Sequence, residues 1–302
     1  MQSFDLCVAW NWVGDSDFIM LLDEACNAKG VSLLLVSPVN LGSVMQSLVN
    51  NQITFHSFFD RASDSDPGFN PIVQWAKNHG VYYLNPRELE FRTQDKGFMH
   101  GELIAAGLYT PHTIVLPSYE EQPNPSPVDL SPLGACFAIK PAHGCGGEGV
   151  VLEATSWKQV LAARQQYPKD KYLLQAQIFP VRIGAHSAWF RVICCGGEIH
   201  PSWWDPHTRV YMSVSAAEEN LFRLTPLRSI VTSLAMVCGL ELFSTEIALT
   251  SENRFVVIDY VNDQIDLRVQ SKAVDGVPDA IVRDIVARLI SLVSTHGKPV
   301  AP

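Results

Sequence analysis

The sequence predicts an α/β protein whose character changes along the chain: an open, largely parallel sheet comes first, and α+β structure with antiparallel strands follows. Three observations predict this. Residues 1 to about 94 alternate short apolar runs with segments of helical spacing, the pattern of strands joined by crossover helices. A glycine-rich stretch lies between two apolar runs, Phe137–Ile139 and Val150–Leu152, and so reads as a hairpin loop. In the last third, strand-like runs succeed one another across short polar turns.

Taken in order, Asp5–Trp10 is apolar and β-prone, and Asp17–Lys29 has helical spacing that stops at Gly30. Residues 31–36 read as a buried strand, 43–50 as helix, 53–59 as strand, 71–79 as helix, 81–84 as strand and 86–92 as helix. No Gly-x-Gly-x-x-Gly follows the first strand, so this N-terminal domain, 1–94, need not hold a dinucleotide itself. Asp95 is well placed to cap a helix running through Met99, Leu103 and Ile104 to Gly107. Five prolines between Pro117 and Pro132 mark a surface connection with little regular structure. Beyond the glycine-rich loop, 156–167 is helical and Lys171–Ile178 is a strand. Strands follow at 188–195, 198–203 and 209–214, then a helix at 226–238 that stops at Gly239. Two more strands, 242–249 and 254–260, flank a polar turn, and Val277-Pro278 opens a last helix to about Val293.

With 302 residues, 47% hydrophobic and 18% charged, the chain is globular and long enough for two or three subdomains. A net charge of -9 without any basic run argues against non-specific nucleic-acid binding and against docking on an anionic membrane. The N-terminus lacks a basic region and meets Asp15 and Asp17 early, so it reads as a strand and not a signal peptide. No apolar stretch is long enough to span a bilayer. The seven cysteines lack zinc-ribbon spacing and mostly sit in apolar runs, which suggests reduced thiols in a cytoplasmic protein. Cys194 and Cys195, adjacent on a strand, should face opposite ways and share no metal.

Two constellations carry chemistry. Lys140 ends an apolar run and puts an ammonium beside Gly144, Gly146, Gly147 and Gly149, where missing Cβ atoms let a backbone fold closely over phosphates. A P-loop or dinucleotide fingerprint would be followed by a helix. Here a strand follows, which favours a flap within a hairpin; the alternative is an ordinary glycine-rich hairpin. His143 beside the flap either donates to a phosphate or is plain surface. The second constellation is Glu246, Asp259 and Asn262, two carboxylates and an amide on neighbouring strands, a set that suits magnesium. The alternative is that Asp259 and Asn262 cap a turn and Glu246 is solvated. His186, His207 and the Trp203-Trp204-Asp205 run flank the strand that carries Arg191; they either wall a substrate pocket or pack the sheet. Cys145 has no histidine–aspartate relay in the sequence and is not read as a nucleophile.

The order of these pieces resembles the ATP-grasp superfamily, which includes glutathione synthetases, biotin carboxylases, D-alanine–D-alanine ligases and ribosomal-protein glutamate ligases. The series runs from Asp95-Lys96 through Gly107-x-x-Thr-Pro-x-Thr113, Lys140 with its flap, Gln175-Ala-Gln-Ile178 and Arg191 to Glu246 and Asp259-x-x-Asn262, nearly the whole chain. The resemblance implies an ATP-grasp domain over 95–302 with a mobile lid subdomain at about 112–180. It implies that Lys140 and Lys96 contact ATP phosphates, that the flap covers them, and that Gln175, Ala176, Gln177 and Ile178 form the hinge receiving adenine. Many relatives have glutamate where Gln175 or Gln177 stands. Arg191 would lie near the terminal phosphate, and Arg268 would match an arginine that follows the metal segment in some relatives. Glu246, Asp259 and Asn262 would hold Mg2+, although the usual Glu-x-Asn spacing is longer here by one residue. Asn262 must then lie beyond a bend or bulge, or Asp263 takes its place.

The implied activity is an ATP- and Mg2+-dependent ligase that joins a small-molecule carboxylate to an amine or thiol through an acyl phosphate. A small-molecule kinase on the same fold, or a nucleotide-binding scaffold with a degraded site, are the other readings. The substrates are not legible in the sequence, nor is the oligomeric state, although homodimers are common among soluble enzymes.

Overall fold

A computed structural model describes residues 1–144 and 146–296. The chain opens with β1 (Gln2–Trp10), α1 (Ser16–Lys29), β2 (Leu33–Val36), α2 (Leu41–Val49), β3 (Ile53–Arg61), α3 (Asn70–Asn78), β4 (Tyr82–Leu84) and α4 (Arg87–Gln94). All strand pairs here are parallel, in the order β2-β1-β3-β4, so the connections diverge between β1 and β3. Buried residues of α1 recur at helical spacing (Phe18, Ile19, Leu22, Cys26), and Gly30 closes the helix at φ 68°, where a side chain would be strained.

α5 (Lys96–Ala105) begins as expected, with the Asp95 carboxylate accepting from the Phe98 N–H at 3.0 Å. Next come β5 (Thr113–Leu116), β6 (Phe137–Pro141), β7 (Val151–Ala154), α6 (Trp157–Arg164) and β8 (Tyr172–Ala176), in an antiparallel sheet ordered β5-β8-β6-β7. Phe137, Ile139, Val160, Tyr172 and Leu174 give this unit a core of its own. The proline-rich connection lacks strands and α-helices but is anchored: the fully buried Arg164 donates to the carbonyls of Pro117, Ser118 and Gln122 at 2.8–2.9 Å.

The remainder comprises β9 (Arg182–Ile183), β10 (His186–Ser187), β11 (Trp189–Cys195), β12 (Glu198–Asp205), β13 (Val210–Ser213), α7 (Ala216–Leu221), α8 (Pro226–Cys238), β14 (Leu242–Leu249), β15 (Phe255–Asn262) and α9 (Asp279–His296). Its main sheet is antiparallel, ordered β13-β12-β11-β14-β15. The sequence reading missed β5, the β9–β10 hairpin and α7. These are short, and α7 buries no side chain; a Ser215–Glu218 capping box defines it in place of an apolar stripe.

One face of the main sheet packs Phe190, Val192, Phe243 and Ile247 against α5 and α8. On the other, Ile193 and Leu242 join Ile285, Leu289 and Val293 of α9 and Leu6, Val8, Phe18 and Phe59 of the N-terminal unit. The last helix thus completes the core of the first sheet, and the two ends of the chain share one apolar interior. Cys194 and Cys195 do fall in different cores, and six free thiols lie among the described residues, all but Cys136 buried. No helix among the described residues is long and apolar enough to cross a membrane.

Candidate functional site

Residues paired directly across neighbouring strands point to the same face. Arg191 on β11 stands opposite Glu246 on β14, and Glu246 stands opposite Asp259 on β15. On a regular strand Asn262, three residues on, would turn away. Instead Asn262 pairs with Ser244, only two residues from Glu246, because β15 carries an extra residue between its two partners. This bulge returns Asn262 to the face of Glu246 and Asp259, as the unusual spacing required. Asp263 turns elsewhere and accepts from Asn85 Nδ2 at 2.9 Å. The reading of Asp259 and Asn262 as turn caps fails, since both belong to a strand and are half-buried.

Glu246 is the centre of this row. Its Oε1 accepts from Arg191 Nη1 at 2.8 Å and its Oε2 from Trp189 Nε1 at 2.9 Å. Arg191 also donates to Ser244 Oγ through Nε (3.2 Å) and Nη2 (3.1 Å), and its guanidinium lies 5.1 Å from the centre of the Trp204 ring. Burial pushes the Glu246 carboxyl up; Arg191 opposes the rise and neighbouring Asp259 adds to it. No side chain among the described residues donates a hydrogen bond to the Asp259 carboxylate. Two carboxylates and an amide oxygen on one face, with lone pairs to spare, are a donor set of the kind Mg2+ takes.

The second wall comes from the β5–β8 sheet. Lys140, within β6, donates to Gln175 Oε1 at 2.7 Å. Burial lowers its pKa, while the charges of Asp259 and Glu246 act to keep it protonated and that of Lys96 opposes them. The ammonium is therefore within electrostatic reach of the carboxylate row, and Gln175 ties it to Tyr260, the neighbour of Asp259, through Nε2 at 3.1 Å. Lys96, the first residue of α5, donates through Nζ to the carbonyl of Gly144, and its backbone N–H donates to Ala142 O at 3.1 Å. The loop joins antiparallel β6 and β7, so the flap does sit within a hairpin. Gly149, at φ 70°, has no room for a side chain: a Cβ would come 2.5 Å from the Tyr167 ring. Arg209 of the β12–β13 turn donates to Gly146 O at 3.3 Å, and Gly147 takes φ 83° in open space. Cys145 lies outside the described residues.

The other candidates are placed as follows. The imidazole of His143 is held by Asp170 at 2.8 Å. Along the hinge, Gln175 is buried, Ala176 and Ile178 are half-buried, and exposed Gln177 accepts from the Cys136 thiol. Arg268 is committed to Asp266 (2.6 Å) and Asp275 (3.0 Å), with Trp12 beneath it, and no hydrogen bond joins it to the Arg191 row among the described residues. His186 stacks on Trp203, His207 is exposed in a turn, and Trp203 and Trp204 pack into different cores.

Sequence reasoning missed how the segment after β15 is held. Buried Arg61 pairs with both oxygens of Asp15 at 2.7 Å and donates to Ile265 O at 3.0 Å. Gln264 donates to Asp60 O at 2.9 Å. The Arg61–Ile265 and Gln264–Asp60 bonds each join residues 204 positions apart, and nothing local announces them.

No protein family's sequence profile matches this chain, and no curated protein sequence matches it. Solved structures do. The ATP-grasp ligase PsnB, complexed with minimal precursor, Mg and ADP, gives a TM-score of 0.64 at 13% identity, covering 96% of this chain and 98% of that one. D-alanine–D-alanine ligase from Bacillus anthracis, complexed with ATP, gives 0.62 at 11% identity, over 98% and 97%. A RimK-domain ATP-grasp protein from Sphaerobacter thermophilus gives 0.60 at 18% identity, over 93% and 98%.

Proposed function

From the ATP-grasp fold that this chain has, we propose that it is an ADP-forming ligase that activates a carboxylate with ATP and Mg2+. One observation carries the reading: Arg191, Glu246, Asp259 and Asn262 share one face of the main sheet, and Lys140 of the other antiparallel sheet is tied through Gln175 to Tyr260, the neighbour of Asp259. In this reading residues 1–94 form an N-terminal domain, 95–302 the ATP-grasp domain, and about 112–180 a lid that moves. Lys140 and Lys96 hold the phosphates, residues 144–149 cover them, and Gln175 to Ile178 receive adenine. Glu246, Asp259 and Asn262 hold Mg2+, which when bound neutralises charge on the phosphate oxygens.

A substrate carboxylate oxygen bonds to the γ-phosphorus while the bond to the β,γ-bridging oxygen breaks and ADP leaves. Arg191 lies where charge accumulates on the transferring group. An amine or thiol then attacks the acyl carbon, losing its proton as phosphate departs. The closed flap keeps out the water that would otherwise hydrolyse the acyl phosphate. PsnB and MdnC were crystallised with precursor peptides, and DcsG is a D-cycloserine synthetase, so acceptor size is not set by the fold.

The test is ADP release from ATP and Mg2+ with pooled carboxylates and amines. Ligase activity requires both pools together and yields orthophosphate. A stable phosphorylated product would mark a kinase, and nucleotide binding without turnover in any pool would refute the enzyme reading.

A further inference from the structure

The Lys140 ammonium gives its hydrogen bond to an uncharged partner, Gln175 Oε1, at 2.7 Å. An ammonium has donors only, so the amide oxygen of Gln175 must face it and the amide nitrogen must point away. There Gln175 Nε2 meets Thr113 Oγ1 at 3.3 Å and Tyr260 Oη at 3.1 Å. Thr113 sends its own proton to Pro111 O at 2.8 Å and is therefore an acceptor for Gln175. Tyr260 also accepts from the amide, and its hydroxyl is hydrogen-bonded to His100 Nδ1 at 2.8 Å. Burial, with His112 adding, lowers the His100 pKa and favours the neutral ring.

The bonds run without a break from Lys140 through Gln175 and Tyr260 to His100, and the ammonium fixes which way the Gln175 amide faces. Gln175, Tyr260 and His100 are 2%, 1% and 7% exposed, so water does not substitute for any of them. A buried network of this kind rigidifies its members. We infer that Tyr260 and His100, acting through Gln175 with Thr113 as its second anchor, are positioning residues that aim the Lys140 ammonium at the phosphate chain of ATP. The inference rests on the proposed role of Lys140 at those phosphates. It gives a purpose to the Thr113 end of the Gly107–Thr113 segment. It also accounts for glutamine at 175: a carboxylate there could not donate to Thr113 and Tyr260 while accepting from Lys140. Tyr260 and Asp259 are neighbours on β15 with opposite outlooks, so one strand serves both the metal face and the relay. The relay joins α5, β5, β8 and β15, and so pins this end of the lid to the main sheet.

Binding of ATP and of adenosine to the full chain, measured calorimetrically, tests the relay. Tyr260→Phe removes one hydroxyl and keeps the ring. It should weaken ATP by about three- to tenfold, the loss of one neutral hydrogen bond that orients a charged group, and leave adenosine unchanged. His100→Gln retains an acceptor and should bind ATP like the parent, whereas His100→Leu should behave like Tyr260→Phe. Equal losses for ATP and adenosine would mean a merely structural role and overturn the inference. Unchanged ATP affinity in both Tyr260→Phe and His100→Leu would overturn it too, with the role of Lys140 still standing if Lys140→Met loses affinity. If Lys140→Met binds ATP normally, both readings fall.

Discussion

Replacing Lys140 with methionine keeps most of the length of the side chain and removes its charge. If the ammonium contacts ATP phosphates, the lost charge-assisted hydrogen bond corresponds to ~1.5–3 kcal/mol, or roughly ten- to 150-fold in affinity. The same change leaves Gln175 Oε1 without its donor at a site only 2% exposed. That orphaned acceptor costs ~1–3 kcal/mol of stability, which for a chain of this size is a fall of about 2–5 °C in melting temperature. The two effects separate experimentally. Calorimetric titration with AMPPNP at a temperature where the variant is fully folded reports the first, and thermal unfolding without nucleotide reports the second. A variant that melts lower but binds AMPPNP within twofold of the parent would show that Lys140 serves only the buried network, and the phosphate reading would be wrong.

Asp259→Asn and Glu246→Gln should each abolish tight Mn2+ binding in the presence of AMPPNP, read by electron paramagnetic resonance, because they share one ion; retention of Mn2+ by either variant counts against the site. Amide exchange over residues 146–149 should slow when ATP and Mg2+ are added, since the flap closes on them; identical rates with and without nucleotide would favour an ordinary hairpin. A histidine whose pKa is lowered on folding contributes stability that is full above its unfolded value, ~6.5, and is lost as pH falls through the folded value. Between pH 7 and pH 5 the urea midpoint of the parent should therefore lose ground relative to that of His100→Gln; parallel pH profiles would mean His100 is not the group responsible.

Much of this protein could be read from local patterns. The alternating apolar and helical runs of residues 1–94 specify parallel β1–β4 with their helices, because each strand's burial and each helix's apolar stripe are written at the period of the element itself. The same holds for the flap: four glycines between two apolar runs allow few structures other than a hairpin loop. Even the irregular spacing of Asp259 and Asn262 pointed to a bend or bulge, unless Asp263 took the place of Asn262, since strand geometry alternates faces and one extra residue must be absorbed; the structure has the bulge. Short elements were not legible. β5 has four residues and exists because it pairs with β8, and α7 rests on its cap. The roles of Gln175, Tyr260 and His100 were not legible either, nor was the Arg61 bridge to Ile265. Hydrogen bonds of that kind depend on which donor and acceptor the packed sheets bring within about 3 Å. Residues 100, 175 and 260 carry no shared period that would mark them as partners; only the closure of α5, β8 and β15 around one buried point decided that they meet.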